Sequence, residues 1–309
     1  MVKMEDKKLP KICVIMSTYN GEKYLKEQID SILAQKDVDV TLYISDDCSK
    51  DNTVKIIQDY QENHKNIILH QNEKNKNFTY NFLDSLFEFK DNDEFDYYAF
   101  SDQDDVWLDK KLISGIRKIE QSDTNALYCS NLRIVDENLK QYDIMNKKIK
   151  LNDKYERILT GNIATGCTMI LNKGMKNIAT IYRPDNIYLH DYWLAIIACF
   201  TENCKFIYSK EDDFILYRQH SNNLIGQGNN GKFKKLKKIV FGKYNYDRST
   251  KKLVDEYKKG YCEIINKKYI KTINKISNYH KFHNKLYFLV CFKSMNKLRF
   301  RIKILFNKY

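Results

Sequence analysis

The sequence predicts an α/β fold, with a mainly parallel sheet at its centre and helices packed against it. Short apolar runs alternate with segments of helical periodicity along the first third of the chain. Their spacing is typical of strand–helix–strand crossovers, which connect parallel strands. Polar clusters follow three of the apolar runs, at the strand ends where such sheets bind ligands.

Four strands and three helices are expected to alternate in the first part of the chain. The predicted strands are 11–17, 40–45, 66–70 and the apolar run that begins at residue 97. The predicted helices are one with Leu25, Ile29, Ile32 and Leu33 on its buried face, then 51–64 and 78–89. Farther along, residues 193–200 predict a buried helix and residues 214–217 a strand.

Three aspartates come directly after the fourth predicted strand, in the stretch Y-Y-A-F-S-D-Q-D-D-V-W at 97–107. Asp102 and Asp104 are one residue apart, with Asp105 beside them. Such a cluster repels itself and needs a counter-charge, and Mg²⁺ or Mn²⁺ prefers oxygen ligands of this kind. The cluster therefore predicts a divalent cation site. The alternative is a solvated acidic turn that caps a helix beginning near Trp107.

Two further polar clusters follow the first and second predicted strands. They are S-T-Y-N-G-E at 17–22 and D-D-C-S at 46–49. Each one alone is equally well explained as a turn or a helix cap. Because parallel strands end at one edge of a sheet, all three clusters are expected to face one crevice. Neither G-x-G-x-x-G nor the Walker pattern G-x-x-x-x-G-K-[ST] occurs, which argues against a dehydrogenase.

The net charge of +13 is unevenly divided along the chain. Residues 232–309 contain 23 basic and 4 acidic residues, a net charge of +19. The preceding residues contain 30 basic and 36 acidic, a net charge of −6. The glycine-rich stretch G-Q-G-N-N-G at 226–231 lies between them. We therefore predict two domains, a catalytic domain at 1–231 and a basic, mainly helical region at 232–309.

The basic region has the pattern of a membrane-surface element. Residues 232–243 place apolar side chains on one helical face among lysines, and residues 285–306 repeat the mixture. We therefore expect contact with an anionic membrane surface. The alternative is a helical subdomain packed on the catalytic domain, with its lysines in solvent. A nucleic-acid-binding protein is disfavoured, because the body is acidic and no recognised nucleic-acid module occurs.

The cysteines and the apolar runs bear on localisation. Eight cysteines include no C-x-x-C pair, and several lie in apolar runs, which is typical of a reducing compartment. The charged residues 1–8 do not resemble a signal peptide. The longest wholly apolar run, 286–292, has seven residues, against roughly 20 for a membrane span. The prediction is a cytoplasmic protein, peripheral on the inner face of the membrane.

Several motifs together resemble one family. S-T-Y-N-G-E-K-Y-L at 17–25, S-D-D-C-S-K-D-N-T at 45–53 and S-D-Q-D-D-V-W-L at 101–108 resemble the family 2 glycosyltransferases of the GT-A fold. H-D-Y-W at 190–193 and Y-R-Q-H-S-N-N-L-I-G at 217–226 most resemble its rhamnosyltransferase-like members. The resemblance covers about residues 10–226. A combination of motifs in order is far more specific than any one of them.

The resemblance implies an inverting, metal-dependent transfer of a sugar from a nucleotide-diphospho-sugar. The acceptor would be a glycan or a lipid-linked glycan in surface polysaccharide synthesis. The donor expected first is dTDP-L-rhamnose, followed by UDP-hexoses. A sugar nucleotidyltransferase is the alternative enzyme, but it would normally have a glycine-rich, basic loop after the first strand, which S-T-Y-N-G-E lacks.

The resemblance also assigns roles on the donor side. It implies that Ser17 and Tyr19 line the pocket of the nucleotide base, and that Asp46 accepts from a base ring N–H. Asp102 is expected near the ribose or the metal, and Asp104 on the metal that bridges the two phosphates. Mg²⁺ or Mn²⁺ would neutralise the departing diphosphate.

By the same resemblance, Asp191 is the catalytic base that removes the proton of the acceptor hydroxyl. The alternative is that Asp191 caps the helix at 193–200, and the two roles are compatible. Trp193 is expected either in the core or as an acceptor platform. His220 would contact the diphosphate, complete the metal shell or be structural, and Arg218 would pair with phosphate oxygens. Residues 222–231 have the composition of a loop that closes over bound donor.

One position departs from the family pattern. Asn77 stands where the family usually has glycine, and asparagine is the residue that best replaces glycine at positive φ. Asn81, four residues later, is expected to contact the donor. The Q-x-x-R-W motif and membrane helices of processive synthases are not seen, so the enzyme is expected to add one sugar or a few.

Overall fold

The computed structural model describes residues 8–145, 158–159, 161–220 and 250–278. The strands in these residues are β1 (Lys11–Thr18), β2 (Asp39–Asp46), β3 (Ile67–Gln71), β4 (Tyr97–Ser101), β5 (Val106–Trp107), β6 (Asn125–Ser130), β7 (Arg133–Val135), β8 (Gln141–Ile144), β9 (Ile170–Asn172), β10 (Cys204–Ser209) and β11 (Ile215–Arg218). The helices are α1 (Leu25–Leu33), α2 (Thr53–Asn63), α3 (Asn77–Glu88), α4 (Lys111–Glu120), α5 (Lys173–Ala179), α6 (His190–Phe200), α7 (Thr250–Tyr261) and α8 (Lys267–Ser277).

The strands form two sheets. The larger has seven strands in the order β10-β6-β9-β4-β1-β2-β3, and β9 alone is antiparallel to its neighbours. The smaller has four strands in the order β5-β11-β7-β8. The predicted α/β fold with a mainly parallel central sheet is therefore confirmed.

The predicted elements of the first hundred residues agree with the structure to within two residues. The prediction near Trp107 is wrong. No helix begins there, because Val106 and Trp107 form β5 and pair with Leu216 and Ile215 of β11. Helix α4 begins only at Lys111. Pairing with a distant strand therefore overrides the local helix signal.

Strand β1 is buried on both faces, which explains its continuous apolar run. Its side chains alternate between two apolar layers. Cys13 and Ile15 join the layer formed with α3, α6, α7 and α8. Ile12, Val14 and Met16 join the layer formed with α1 and α4. The carboxyl end of β1 is consequently held from both sides.

Helix α6 crosses the first of these layers and is apolar around most of its circumference. Trp193 is completely buried and packs edge-to-face on Tyr261, with ring centroids 5.9 Å apart. Its expected place in the core is confirmed, and the alternative of an acceptor platform is wrong.

Residues 250–278 pack on the preceding helices and strands. Leu253, Tyr257 and Ile273 are buried in the same apolar layer as α6. Exposed lysines lie on the outer surface of α7 and α8, namely Lys252, Lys259, Lys267, Lys268 and Lys271. The described part of the basic region thus has a helical arrangement with lysines in solvent.

The other predictions for the basic region fall outside the described residues. These are the linker at 226–231, the helix at 232–243, the loop at 222–231 and the segment at 285–306. The division into domains at residue 231 stays a prediction. Within the described residues, no helix is long and apolar enough to cross a membrane, and none of the seven cysteines there forms a disulfide.

Candidate active site

The three polar clusters meet at one edge of the larger sheet. In the parallel pairing of β1 with β2, Thr18 lies opposite Asp46. In the pairing of β1 with β4, Met16 lies opposite Ser101. Ser101 precedes residues 102–105, which we call the acidic motif. This register brings the loops after β1, β2 and β4 together at one edge of the sheet, as the sequence predicts.

Asp46 is buried where the loops after β1 and β2 meet. Its Oδ2 accepts a hydrogen bond from Thr18 Oγ1 at 2.9 Å and another from Ser49 Oγ. Its Oδ1 accepts from the backbone N–H of Ser49 at 2.9 Å. The Tyr19 side chain stands nearby with 49% of its surface exposed. This part of the site combines a fixed carboxylate with an accessible aromatic ring.

Asn81 has no exposed surface. Its Nδ2 donates to Ser17 Oγ at 2.6 Å and to the Ser45 carbonyl at 2.9 Å. Its Oδ1 accepts from Ser45 Oγ at 2.6 Å and from Asn72 Nδ2 at 2.8 Å. Asn81 therefore positions Ser17, and its predicted contact with the donor stays a prediction. The positive φ expected at Asn77 is confirmed, with a value of 62°.

Asp104 and His220 are brought together at the acidic motif, and both side chains are largely buried. His220 Nε2 lies 2.8 Å from Asp104 Oδ2. The contact follows from the smaller sheet, in which β5 continues the acidic motif and pairs antiparallel with β11. Residues that follow β11 therefore lie beside the aspartates that precede β5.

Arg218 is buried at the acidic motif. Only 2% of its surface is exposed, and its guanidinium donates to the carbonyls of Asp104 and Glu137 and to Glu27 Oε2. Its backbone N–H donates to Asp105 Oδ1 at 3.1 Å. Arg218 therefore braces the backbone of the acidic motif. These hydrogen bonds give Arg218 a positioning role, and its predicted contact with phosphate oxygens stays a prediction.

Two charged residues at the acidic motif, Asp105 and Lys111, are buried. Asp105 has no exposed surface, and burial raises its pKa well above the usual value, with further increases from the charges of Asp104 and Asp102. Lys111 is 3% exposed, and its Nζ lies 3.6 Å from the ring centroid of Trp107. Burial lowers the pKa of Lys111 to about 7, although Cys167 and Asp105 favour its charged form. A buried lysine thus lies near Asp105, whose charge favours the protonated form of the lysine.

Asp102, Asp105 and Cys167 place three potential ligand atoms within 4.8 Å of one another. Burial, together with the charges of Asp104 and Asp191, raises the pKa of Asp102 to about 7. Carboxylate oxygens in such a group favour a divalent cation, because the cation replaces the missing counter-charge. The carboxylates of this group therefore fit a hard cation such as Mg²⁺ or Mn²⁺, whereas the Cys167 thiol, whose pKa is raised by burial, does not.

Asp191 lies in the first turn of α6, with its carboxylate held from three sides. Oδ1 accepts from Asn162 Nδ2 at 2.8 Å and from the Tyr192 N–H at 2.6 Å. Oδ2 accepts from the Gly166 N–H at 3.2 Å. Burial raises the pKa of Asp191 to about 7, against the lowering effect of these hydrogen bonds. Leu189 is the N-cap residue, so Asp191 follows the cap position and does not occupy it.

One turn joins Asp191 to the acidic motif. Gly166 opens a 3₁₀ turn, Gly166–Thr168, and donates to Asp191. The next residue, Cys167, lies among the motif carboxylates and hydrogen-bonds to Asp105. Glycine is required at 166, because a Cβ there would lie 2.7 Å from Nε2 of His190. Adjacent residues of one turn therefore contact Asp191 and Asp105, and the charge of Asp191 also raises the pKa of Asp102, so the two carboxylate sites are neighbours.

Sequence reasoning missed several of these residues. Gln103, Asn162, Gly166 and Cys167 contact the predicted site residues but have ordinary sequence surroundings. Lys111 offered a signal, since it is a lysine one position before the apolar residues Leu112 and Ile113 of α4.

Comparison with known proteins agrees with this geometry. A family model described as Glycosyl transferase family 2 matches residues 13–178. The chain is 33% identical over 224 residues to dTDP-rhamnosyl transferase RfbG of Shigella flexneri, covering 68% of this chain and 73% of that protein.

Two solved structures share the fold. The crystal structure of S. aureus TarS 1–349 in complex with UDP-GlcNAc has a TM-score of 0.60 at 17% identity, covering 96% of this chain and 80% of that one. The mannosyltransferase PcManGT from Pyrobaculum calidifontis, in complex with GDP-Man and Mn²⁺, has a TM-score of 0.54 at 13% identity, covering 97% and 75%. Together, the match over residues 13–178, the identity to RfbG and the GT-A architecture establish that this chain is a glycosyltransferase belonging to glycosyl transferase family 2.

Proposed function

We propose that this enzyme transfers a sugar, with inversion, from a nucleotide-diphospho-sugar to an acceptor hydroxyl, and that the transfer depends on Mg²⁺ or Mn²⁺. One observation carries the proposal. The turn at Gly166–Thr168 contacts both Asp191 and the acidic motif, so a proton acceptor and a cation site border the same space. A single sugar bound between them would meet both groups.

The nucleotide end of the donor lies, in this proposal, across the loops after β1 and β2. The exposed ring of Tyr19 stacks on the base, and Ser17 lies beside it. Asp46 accepts from a base N–H with the lone pairs that Thr18 and Ser49 leave available. Aromatic stacking accepts any base, whereas the carboxylate requires a base with a ring N–H, such as uracil or thymine.

Asp102 and Asp104 would hold the cation, and His220 would be a further ligand or the group that orients Asp104. When bound, it would neutralise the charge that develops on the departing diphosphate. The buried residue Arg218 supports this loop through hydrogen bonds to Asp104 and Asp105. Arg218 holds the backbone carbonyl of Asp104 at 3.0 Å, so the carboxylates have a fixed base.

Asp191 is the general base. Its ionised carboxylate takes the proton of the acceptor hydroxyl while the hydroxyl oxygen forms a bond to the anomeric carbon. The bond from that carbon to the diphosphate oxygen breaks on the opposite face, which inverts the configuration. Asn162 and Gly166 hold the carboxylate in one orientation. A pKa of about 7 suits a base that works near neutral pH.

The donor we favour is dTDP-L-rhamnose, with UDP-hexoses as the second choice. The likeness to RfbG, whose name specifies a dTDP-rhamnosyl transferase, supports this order. The acceptor is a glycan or a lipid-linked glycan of a surface polysaccharide. A thermal-shift panel of dTDP- and UDP-sugars with Mn²⁺ tests the donor, because a bound ligand stabilises the folded state.

The transfer proposal is tested with two single variants. Asp104→Ala is expected to abolish the response to Mn²⁺, and Asp191→Asn is expected to abolish transfer while the donor still binds. Full activity of both variants in a donor-transfer assay would refute the site.

We also propose that the basic region docks the enzyme on the cytoplasmic leaflet, where lipid-linked acceptors are presented. The exposed lysines of α8 support this proposal, and each lysine near an anionic leaflet contributes about 1 kcal/mol. Because α7 and α8 complete the core, truncation would disturb the fold. Substituting Lys267, Lys268 and Lys271 by glutamine is a cleaner test. Sedimentation with phosphatidylglycerol vesicles should fall, and equal sedimentation would contradict docking through this face.

A further inference from the structure

Gln103 lies between the two aspartates that we assign to the cation, and its side chain points to the neighbouring loop. Its Oε1 accepts a hydrogen bond from the Tyr19 N–H at 2.8 Å. Its Nε2 donates to the Tyr19 carbonyl at 3.1 Å. One amide group therefore engages both backbone groups of Tyr19, in the way that a paired strand would.

The neighbouring glycine gives independent evidence for this placement. A Cβ on Gly21 would lie 2.2 Å from Oε1 and 2.5 Å from Cδ of Gln103. The amide of Gln103 therefore lies against the Gly21 backbone, where any larger residue would displace it. The sequence Y-N-G at 19–21 and the glutamine of D-Q-D fit each other.

The loop after β1 is fixed separately on its other side. Asn20 has a φ of 48°, and its N–H donates to Ser49 Oγ at 2.9 Å. The Gly21 N–H donates to Thr53 Oγ1 at 2.8 Å. These bonds anchor the loop to β2 and α2, whereas Gln103 is its hydrogen-bonded contact with the acidic motif. The Tyr19 ring, being exposed, takes its position from this backbone.

We propose that Gln103 is a positioning residue that couples cation binding at Asp102 and Asp104 to nucleotide binding at Tyr19. The inference rests on the proposed function. Gln103 is covalently joined to both aspartates, so an adjustment of their carboxylates on a cation is transmitted to the backbone that carries the Tyr19 ring. Coupling of this kind is reciprocal, so a bound nucleotide tightens cation binding by the same factor.

The test measures the affinity of the full chain for UDP and for dTDP by calorimetry, with Mn²⁺ and with EDTA. For each nucleotide, the ratio of its affinity with Mn²⁺ to its affinity with EDTA is the coupling factor. Gln103→Met keeps the side-chain length and removes both hydrogen bonds, and we expect it to lower the coupling factor about five-fold or more. Gly21→Ala displaces the amide from the other side and should lower the factor similarly. Gln58→Met, on the exposed face of α2, is the matched control and should leave it unchanged.

A purely structural role predicts a different result, in which both affinities weaken together and their ratio is preserved. A preserved ratio in Gln103→Met and Gly21→Ala, alongside a native chain that shows cation-enhanced binding, overturns the inference and leaves the proposed function standing. A native chain that binds neither nucleotide with Mn²⁺ overturns the proposed function, and the inference with it. Thermal unfolding of each variant confirms that the compared proteins are folded.

Discussion

His220 Nε2 lies 2.8 Å from Asp104 Oδ2, although 116 positions separate the two residues. The imidazole also packs on Tyr24, with ring centroids 5.0 Å apart, so its orientation is restricted. A histidine in this position either ligates a cation together with Asp104 or orients the carboxylate that does. Both arrangements make the cation affinity depend on the imidazole.

His220→Ala should therefore weaken the apparent affinity for Mn²⁺ about 10- to 100-fold. The maximal rate should be largely recovered at saturating Mn²⁺, because Asp102 and Asp104 remain. The measurement is a Mn²⁺ titration of transfer activity. His64→Ala, beyond the end of α2, serves as the control. An unchanged titration curve would contradict the role of His220.

Asp191→Asn should lower kcat by about 10² to 10⁴, which is the usual contribution of a general base. The amide keeps the size of the carboxylate but cannot accept a proton. Donor affinity should remain near the native value, since Asp191 lies on the acceptor side in the proposed arrangement. Asp39→Asn, an exposed residue at the start of β2, should retain native kcat. Substantial turnover by Asp191→Asn would show that another residue is the general base.

The rate of transfer should rise with pH through about 7. Burial raises the pKa of Asp191 to about 7, and only the ionised carboxylate can take a proton. Below that pH, kcat should fall tenfold for each pH unit. Asn162→Leu removes a hydrogen bond to the ionised Asp191 carboxylate, which measures 2.8 Å in the native enzyme. The pKa of Asp191 should therefore rise, and the increase of kcat should occur at higher pH. An unchanged pH dependence of kcat would show that Asn162 does not influence the pKa of the catalytic base.

Arg218→Lys should reduce stability more than an ordinary surface substitution. The guanidinium holds three elements at once, and a lysine cannot make the same set of hydrogen bonds. We expect the free energy of unfolding in urea to fall by about 2–3 kcal/mol. Arg117→Lys, whose side chain is 65% exposed on α4, should change it by less than about 0.5 kcal/mol. Equal effects would argue against the bracing role.

Two lysines on α5 provide a matched pair for stability. Lys176 is completely buried, and its Nζ donates to the carbonyls of Phe89, Lys90 and Asn92 at 2.8–3.0 Å. Lys176→Met removes all three of these hydrogen bonds from the end of α3 and should cost about 2–4 kcal/mol. Lys173→Met removes only an exposed ion pair with Asp93, worth less than about 1 kcal/mol. Urea titration of both variants compares the two losses.

Features that depend on near neighbours were predictable from the sequence. The double-sided burial of β1 and the helical spacing of α1 appear directly in the order of apolar residues. Asn77 was recognised as a position for positive φ because asparagine tolerates that conformation. The convergence of three strand ends followed from the geometry of parallel sheets, which requires no knowledge of individual contacts.

The tertiary structure alone decided which polar side chains face the crevice. Arg218 and Asn81 were expected to meet the donor, yet both are buried and hold other residues in place. Trp107 belongs to a strand only because β11 pairs with it. Local periodicity reflects backbone geometry, which repeats over a few residues. The direction of a single side chain depends on pairing between segments a hundred residues apart, and no local pattern records that pairing.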